Sequence, residues 1–484
     1  MTLRHSLLMG EVVTTRNRGG GGQGRRYLML RTDQLISRIK EVAGKATFIK
    51  DRRKLDAYAL DGKRPKVIVS PKTVDEVSKI VAYANQEHLA LVPMGNGTKT
   101  GMGGIPKKMD MVLLTTRLNR ITDCDIDNLT LTAESGITLS QVQRHLAKEG
   151  KGYFLPLDPP FTDKATLGGI VATNSSGPKR LLYGTARDLI IGIKAVFPNG
   201  DFVVSGGKTV KNVSGYDMCK LLIGSFGTLG IICEITFKLL PLPEREASLL
   251  VPFKTLDEAN GFVQTITHSQ LLPASIETLN ILAVRKMRYN LPLPSDGNYV
   301  VAIGLEGVAE STERQISEMG NIGKKHGALE PMALDSERHH AFWNALRDFS
   351  RGLAKRYPDY VALKSNFLIS KCGQMMGSYE KIAEGLGIDC AFVSHSGNGI
   401  LYTYVLGNQD GRSRMESLIK FIKKLTSEAA KNEGNLIIES SPSSIKKKIA
   451  PWGKSRSDAL IMRRIKKQID PRGILNPGRF VGGI

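Results

Sequence analysis

No two cysteines in the 484-residue chain stand at CxxC spacing. The five present, Cys124, Cys219, Cys233, Cys372 and Cys390, lie far apart. Iron–sulfur clusters and zinc ribbons need clustered thiolates, so the spacing argues against either being carried by this chain. The odd count argues against a secreted disulfide framework and fits a reducing compartment. A membrane span is also missing. The longest apolar stretch, Leu221–Leu240, carries Glu234 and Lys238 and reads as a buried loop and strand. Leu7-Leu8-Met9 is too short for the apolar part of a signal peptide. Aromatic residues make up 6% of the chain, and no aromatic ladder interleaves its basic segments, as single-strand stacking would require. There is no internal repeat.

What is abundant is positive charge. Lysine and arginine number 68 against 46 acidic residues, a formal net charge of +22. Nucleic acid, an anionic membrane surface, an acidic partner subunit and an anionic substrate all fit that balance, as does a lysine-rich solvated surface. The densest run comprises Lys446, Lys447, Lys448, Lys454, Arg456, Arg463, Arg464, Lys466 and Lys467. Residues 1–28 include a glycine- and arginine-rich stretch that reads as a disordered tail. Single cores rarely exceed roughly 250–300 residues, so two packed domains are expected from Met29 onward.

From there strands and helices alternate, giving an α+β fold. Helices are expected over 30–43, after Thr73-x-x-Glu76 (a capping-box pattern), over Ser140–Glu149, Glu310–Lys325 and Arg414–Glu433. Strands are expected at Lys66–Ser70, Leu89–Val92, Met111–Leu114, 129–133, Ile190–Phe197, Asp201–Val204, Ile231–Phe237, Tyr299–Ile303, Phe392–Val393 and Leu401–Val405. Pro241 and Pro243 mark a boundary. The expected units are 29–244, 245–455 and a C-terminal return segment, 456–484.

Three glycine-rich blocks stand out. The first, Pro93-Met94-Gly95-Asn96-Gly97-Thr98-Lys99-Thr100-Gly101, follows a strand, and its glycines let backbone approach an anion closely. Its GxGxxxG spacing is not the dinucleotide fingerprint GxGxxG. Gly207-Lys208-Thr209 is not a Walker loop either, because Phe202 sits where the first glycine belongs. The second block, Ala165–Gly177, is dominated by small residues and suits close packing of something large and flat. The third runs through Lys211–Asp217 and Gly224–Gly230.

In this order the blocks resemble the FAD-binding domain of the vanillyl-alcohol-oxidase, or PCMH-type, family. Pro93–Gly101 matches its PxGxGTxxxG loop, Ala165–Gly177 its ATLGGxxAxxxxG block, and Lys211–Ile232 its third motif. Leu475-Asn476-Pro477-Gly478-Arg479-Phe480 resembles its closing segment. The resemblance spans roughly residues 35–484. It implies FAD as cofactor, held by Pro93, Gly95, Asn96, Gly97, Thr98, Lys99, Gly101, Asp158, Pro159, Thr166, Gly168, Gly169, Ser175, Ser176, Gly177, Gly227, Thr228, Gly230, Ile232 and Asn476. It further implies a second, substrate-binding (cap) domain. The first block has neither histidine nor cysteine, and neither has the second, so dissociable, non-covalent FAD is expected.

Within the family, Asp158-Pro159-Pro160 and His395-Ser396-Gly397-Asn398-Gly399-Ile400-Leu401 resemble the glycolate oxidase and D-lactate dehydrogenase group, and there the E-type subunit. Relatives with a metal-assisted site show HxGDGNxH at this point. Here Asn398, Ile400 and Tyr402 replace three of those residues, which puts such a site in doubt. The resemblance implies oxidation of a small 2-hydroxy acid, glycolate or D-lactate, with flavoprotein and iron–sulfur partner subunits. The setting would be cytoplasmic, or peripheral on the inner face of a membrane. A base and a carboxylate-binding cation are then required. His395 is the candidate base, and Lys364 and Arg347 are candidate cations. His395 also reads as a structural hydrogen-bonder. Tyr216 and Asp217 read as structure, and His339-His340 as an exposed helix pair with no ligand set, so no metal site is expected. A flavin-carrying accessory subunit, a sugar, alditol or aromatic-alcohol oxidase, and a basic nucleic-acid-binding protein are the competing readings; on the leading one no specific nucleic acid is expected as a partner.

Overall fold

The computed structural model describes residues 32–207, 216–287, 289, 294, 296–357, 359–406, 412–453 and 457–484. Expectations for residues 1–28, for Met29 and the first two residues of the 30–43 helix, for Lys208-Thr209, for Lys211–Gly215 of the third block, and for Lys454 and Arg456 fall outside them.

Strands β1 (Thr47–Ile49), β2 (Val67–Ser70), β3 (Leu91–Met94) and β4 (Met111–Leu114) form a sheet in the order β1-β2-β4-β3. The β2–β4 and β3–β4 pairs are parallel. Every residue of β2 and β4 is buried, as parallel strands covered on both faces must be. Helices α1 (Thr32–Val42) and α2 (Val74–Gln86) supply much of that cover. Thr73 caps α2 by accepting from the Glu76 N–H at 3.2 Å. The Glu76 carboxylate accepts from Lys72 N–H at 2.6 Å, so the reciprocal half of the expected capping box is displaced by one residue.

A second sheet has the order β5-β6-β10-β8-β9, from β5 (Ile121–Asp125), β6 (Thr130–Glu134), β8 (Ile190–Val196), β9 (Phe202–Gly206) and β10 (Ile231–Lys238). Strands β7 (Tyr153–Phe154) and β11 (Leu240–Pro241) pair beside it. Helix α3 (Leu139–Glu149) packs on this sheet through Leu139, Val142 and Leu146. So does a short helix, α4 (Leu167–Thr173), which the glycine pair Gly168-Gly169 hid from a reading by propensity. Thr166 caps it at Gly169 N–H, Asn174 ends it at φ 45°, and Leu167, Ile170 and Val171 are buried. Gly168 is required for packing: a Cβ there would lie 2.8 Å from Ser135 Cβ.

From Arg245 the chain builds one eight-stranded sheet, antiparallel at every pair. Its strands are β12 (Arg245–Phe253), β13 (Ser275–Asn280), β14 (Tyr299–Gly307), β15 (Met332–Leu334), β16 (Val361–Asn366), β17 (Cys390–His395), β18 (Ile400–Val405) and β19 (Asn435–Ser440). Their order is β15-β12-β14-β13-β17-β18-β16-β19. Helices α5 (Leu256–Thr267), α6 (Ala309–Lys325), α9 (Cys372–Glu384) and α10 (Arg412–Lys431) cover one face. Helices α7 (Ser336–Arg347) and α8 (Phe349–Arg356) cover part of the other through Phe342, Leu346, Phe349 and Leu353.

The last residues return to the first sheet. Leu91 N–H donates to Ile474 C=O, and Asn476 N–H donates to Leu91 C=O, both at 2.8 Å. Helix α11 (Ala459–Ile469) precedes this return, and Lys466 Nζ donates to Thr228 and Leu475 carbonyls at 2.7 and 3.0 Å. The C-terminal basic run is therefore not one solvated face. Lys446 and Lys466 are buried, paired with Asp61 at 3.0 Å and with Asp470 at 2.5 Å. Sequence does not separate these two from their exposed neighbours, because their partners lie on other segments or on the next helical turn.

Candidate active site

The glycine-rich blocks meet. A Cβ on Gly95 would lie 2.1 Å from Thr166 Oγ1, and one on Gly227 (φ 65°) would lie 2.7 Å from Pro93 Cγ. Only glycine allows these approaches. Between the blocks lies a cavity of about 820 Å³, counting its open mouth. Pro93, Gly95, Asn96, Gly97, Thr98, Lys99, Thr166, Gly168, Gly169, Gly227, Gly230, Ile232 and Asn476 line it, as do Thr100, Thr115, Thr173, Phe226 and Arg479, which were not singled out from sequence. Arg479 and Phe226 lay inside quoted motifs; Thr115, just after β4, carried no signal. Among the described residues, no histidine or cysteine lines the cavity.

Seven expected residues do not line it. Asp158 is buried and accepts from Gly177 N–H at 3.1 Å and Lys179 N–H at 2.8 Å, fixing the turn after the second block. Pro159 C=O accepts from the Thr162 hydroxyl at 2.8 Å. Ser175 N–H donates to Ile170 C=O at 2.9 Å, closing off α4. The buried Thr228 hydroxyl donates to Ser225 C=O at 2.6 Å. Gly101 abuts β19, where its Cβ would lie 3.0 Å from Ser440 Oγ. Tyr216 is exposed, and Asp217 caps the helix after it by accepting from Lys220 N–H at 3.1 Å.

Ser176 and Gly177 line a second pocket instead, of about 480 Å³, together with Lys99, Arg347, Ser350, His395, Tyr402, Tyr404 and Glu439. Strand register explains this set. Glu277 on β13 faces His395 on β17, Val393 faces Tyr402 on β18, and Tyr402 faces Lys364 on β16. Directly paired residues share a face, and so do residues two apart, so Glu277, His395, Tyr402, Tyr404 and Lys364 all stand on one side. Lys99 bridges from the first block to Glu439 on β19 at 3.3 Å, and it lines both cavities.

Buried His395 has its Nδ1 at 2.5 and 2.6 Å from the two carboxyl oxygens of Glu277, itself fully buried. Burial, then the cations Lys364 and Arg180, push the imidazole far below its ordinary range. Burial pushes Glu277 well up. Lys364 does not line the pocket. Its ammonium lies 5.7 Å above the Tyr402 ring and is lowered by burial. Burial would raise Glu439, but Lys99 and Lys364 outweigh it and hold that carboxyl below its ordinary value. Arg347 donates to Asn344 Oδ1 at 2.6 Å, while its buried Nε has no partner. Arg180, also missed from sequence, donates to Ser176 Oγ at 3.1 Å. Among the described residues, no trio of donors within reach of one ion includes His395. With tyrosine at 402, the donor set here does not fit a metal.

A family model described as an FAD binding domain matches residues 65–206, and one described as the FAD linked oxidases, C-terminal domain, matches residues 242–480. Glycolate oxidase subunit GlcD of Bacillus subtilis is 31% identical over 420 residues, covering 86% of this chain and 89% of that protein. The chain belongs to the FAD-linked oxidases. A D-lactate dehydrogenase of Archaeoglobus fulgidus is 28% identical over 451 residues, 88% of this chain and 96% of that protein. Among solved structures, p-cresol methylhydroxylase shares the fold with a TM-score of 0.74 at 16% identity, over 93% of this chain and 96% of that one. This FAD-linked oxidase is thus an oxidoreductase of the group that includes proteins named glycolate oxidase subunit, D-lactate dehydrogenase and D-2-hydroxyglutarate dehydrogenase. The Bacillus subtilis relative is a D-type subunit, whereas the segment His395–Leu401 resembles the E-type.

FAD is its cofactor, and the glycine-lined cavity between the blocks fits it in the chemistry of its walls. Gly95 and Gly97 keep two positions of the first block's wall free of side chains. Asn476 donates through Nδ2 to Phe226 C=O at 2.6 Å, leaving its buried Oδ1 unpartnered as an acceptor. Arg479 holds the far end of the first block by donating to the Thr100, Met102 and Gly104 carbonyls. No helix of the described residues is long and apolar enough to cross a membrane.

Two expectations about histidines change. His339 is not exposed: it is buried, with Nδ1 2.7 Å from Ser248 Oγ. Nor is the His339-His340 pair without company, because Glu246 of β12 lies beside it.

Proposed function

We propose that the chain oxidises a small 2-hydroxy acid of the glycolate or D-lactate class and passes the electrons to a separate acceptor. One observation carries this reading: His395 and Arg347 line the same pocket, and Lys99 is common to that pocket and the FAD cavity. Arg347, with an unpartnered Nε, binds the substrate carboxylate. With Glu277 ionised, His395 Nδ1–H donates to it and Nε2 is left to take the hydroxyl proton. Glu277 then stabilises the imidazolium that forms. Lys364 acts one layer back, through the Tyr402 ring and Glu439. FAD, when bound, supplies the acceptor for the two electrons and the hydrogen that leave the carbinol carbon. Among the described residues the cavity walls offer no histidine or cysteine for a bond, which supports non-covalent FAD; acid precipitation should release it to the supernatant.

The test is an anaerobic visible spectrum of the flavoprotein before and after glycolate, D-lactate and D-2-hydroxyglutarate. Bleaching by one of them supports the reading and names the substrate. A second reading is favoured by Tyr402 and Asn398, which replace metal-site residues of the resembling group: an FAD-carrying subunit that works only with flavoprotein and iron–sulfur partners. A flavin that stays oxidised until a partner is added would select it. A flavin that no 2-hydroxy acid reduces, with or without partners, would sink the first reading.

A further inference from the structure

We propose that Glu246, His339 and His340 form a binding site for one divalent transition-metal ion of the zinc type, where helix α7 meets strand β12. One ligand atom from each of the three lies within 4.8 Å of the others. Neighbours on a helix usually diverge, yet these two rings approach to 5.2 Å between centroids, nearly perpendicular at 83°. His340 Nε2 lies 3.4 Å from Glu246 Oε2. Tetrahedral zinc with bonds of about 2.0–2.1 Å spaces its ligands by about 3.4 Å, so this edge is already formed.

The two inner ligands are held by outer partners, as metal ligands usually are. Ser248 Oγ sits 2.7 Å from His339 Nδ1 and accepts from Trp343 Nε1 at 2.8 Å. Lys179 Nζ binds the other carboxyl oxygen of Glu246, Oε1, at 2.8 Å, leaving Oε2 to the ion. The same ammonium is matched by Glu306 at 2.5 Å, so it does not cancel Glu246 alone. Access comes from the outer ligand, since the His340 side chain is 56% exposed. Two imidazoles and one carboxylate suit zinc, copper or nickel and not magnesium or calcium. Three protein donors leave a fourth position to solvent. Sequence concealed the set because Glu246 comes from a distant strand.

None of the three ligands lines the pocket that holds His395, so the site can be tested whatever the substrate proves to be. Zinc would be titrated into the metal-stripped, full-length flavoprotein in competition with a chromogenic chelator, with thermal unfolding followed in parallel. One equivalent should bind at micromolar concentration and raise Tm, because the ion ties α7 to β12. Cobalt(II) should give the visible absorption of a low-symmetry nitrogen–oxygen site. His340→Ala, a change at the exposed ligand, should weaken binding roughly tenfold or more and abolish the rise in Tm. Glu246→Gln should do the same. Zinc that binds equally well to His340→Ala, or no binding by the wild type at micromolar concentration, would overturn the proposal.

Discussion

Replacing Glu277 by glutamine probes the proposed base through its partner. Glu277 lies directly across the ladder from His395, fully buried, with its oxygens 2.5 and 2.6 Å from Nδ1. As a carboxylate it stabilises the imidazolium that forms when Nε2 takes the substrate proton. Charges centred about 4 Å apart at an effective dielectric of about 20 interact by about 4 kcal/mol. Losing that in the transition state slows flavin reduction about a thousandfold. Glutamine has the same shape, and its amide oxygen still accepts Nδ1–H, so the ring should stay in place. Anaerobic stopped-flow reduction, followed from neutral into acid pH, reads both rate and titration. In the wild type, burial raises Glu277, so the pair takes up its extra proton at a higher pH than an exposed carboxyl would. In that state the Glu277 hydroxyl donates to Nδ1, Nε2 carries hydrogen, and the base is lost. The rate is therefore full above the titration of the pair and falls as pH drops through it. In Glu277→Gln the acid limb should move to lower pH, because burial, Lys364 and Arg180 hold a lone His395 far down. A variant with normal flavin content, the wild-type rate and an unshifted acid limb would refute the pairing of Glu277 with a catalytic His395.

Three further outcomes are expected. Arg347→Met should raise KM for the 2-hydroxy acid roughly 10- to 100-fold, since a charge-assisted hydrogen bond contributes about 1.5–3 kcal/mol; the flavin spectrum should not change, and an unaltered KM would remove Arg347 from the carboxylate site. Gly95→Ala sets a Cβ 2.1 Å from Thr166 Oγ1, so the protein should purify with little FAD. The ratio of flavin to protein absorbance measures this, and full occupancy would contradict the contact. Asp61→Ala leaves Lys446 and Arg479 buried without their carboxylate, at 3.0 and 3.5 Å, and should cost about 3–5 kcal/mol. A Tm within a degree or so of wild type would show that the cluster is not stabilising.

The parts of the site legible in sequence are those where backbone approach dictates the residue. Gly95, Gly168 and Gly227 sit where a Cβ has no room, so their spacing betrays the cavity directly. The strand Met111–Leu114 was legible for a similar reason, because full burial demands an unbroken apolar run. What stayed hidden depends on pairing across the fold. Glu277, Arg180 and Glu439 come from three separate segments and acquire meaning only when β13, β17, β18, β16 and β19 align. Thr228 and Asp158 fell within or beside recognised motifs, yet their polar atoms are spent on their own turns. A motif identifies a stretch of backbone; it does not say which of its side chains face the cavity.

Lys99 shows how the two halves of the enzyme depend on each other. The first glycine block must stay bare to admit FAD, and it carries one charged side chain. That side chain pairs with Glu439 at 3.3 Å on the far sheet, while Gly101 two residues on abuts Ser440. Lys99 and Lys364 in turn hold the Glu439 carboxyl below its ordinary value, and that carboxyl acts on His395. Tyr402, Lys99 and Lys364 thus occupy the region where a metal ion would need donors, and in the proposed reaction the positive charge near the substrate carboxylate would come from side chains. One of those side chains is fixed by the same loop that cradles the cofactor. The segment Pro93–Gly101 therefore contributes both to the wall of the FAD cavity and, through Lys99, to the charge balance of the neighbouring pocket, so a change at Lys99 should be felt in both.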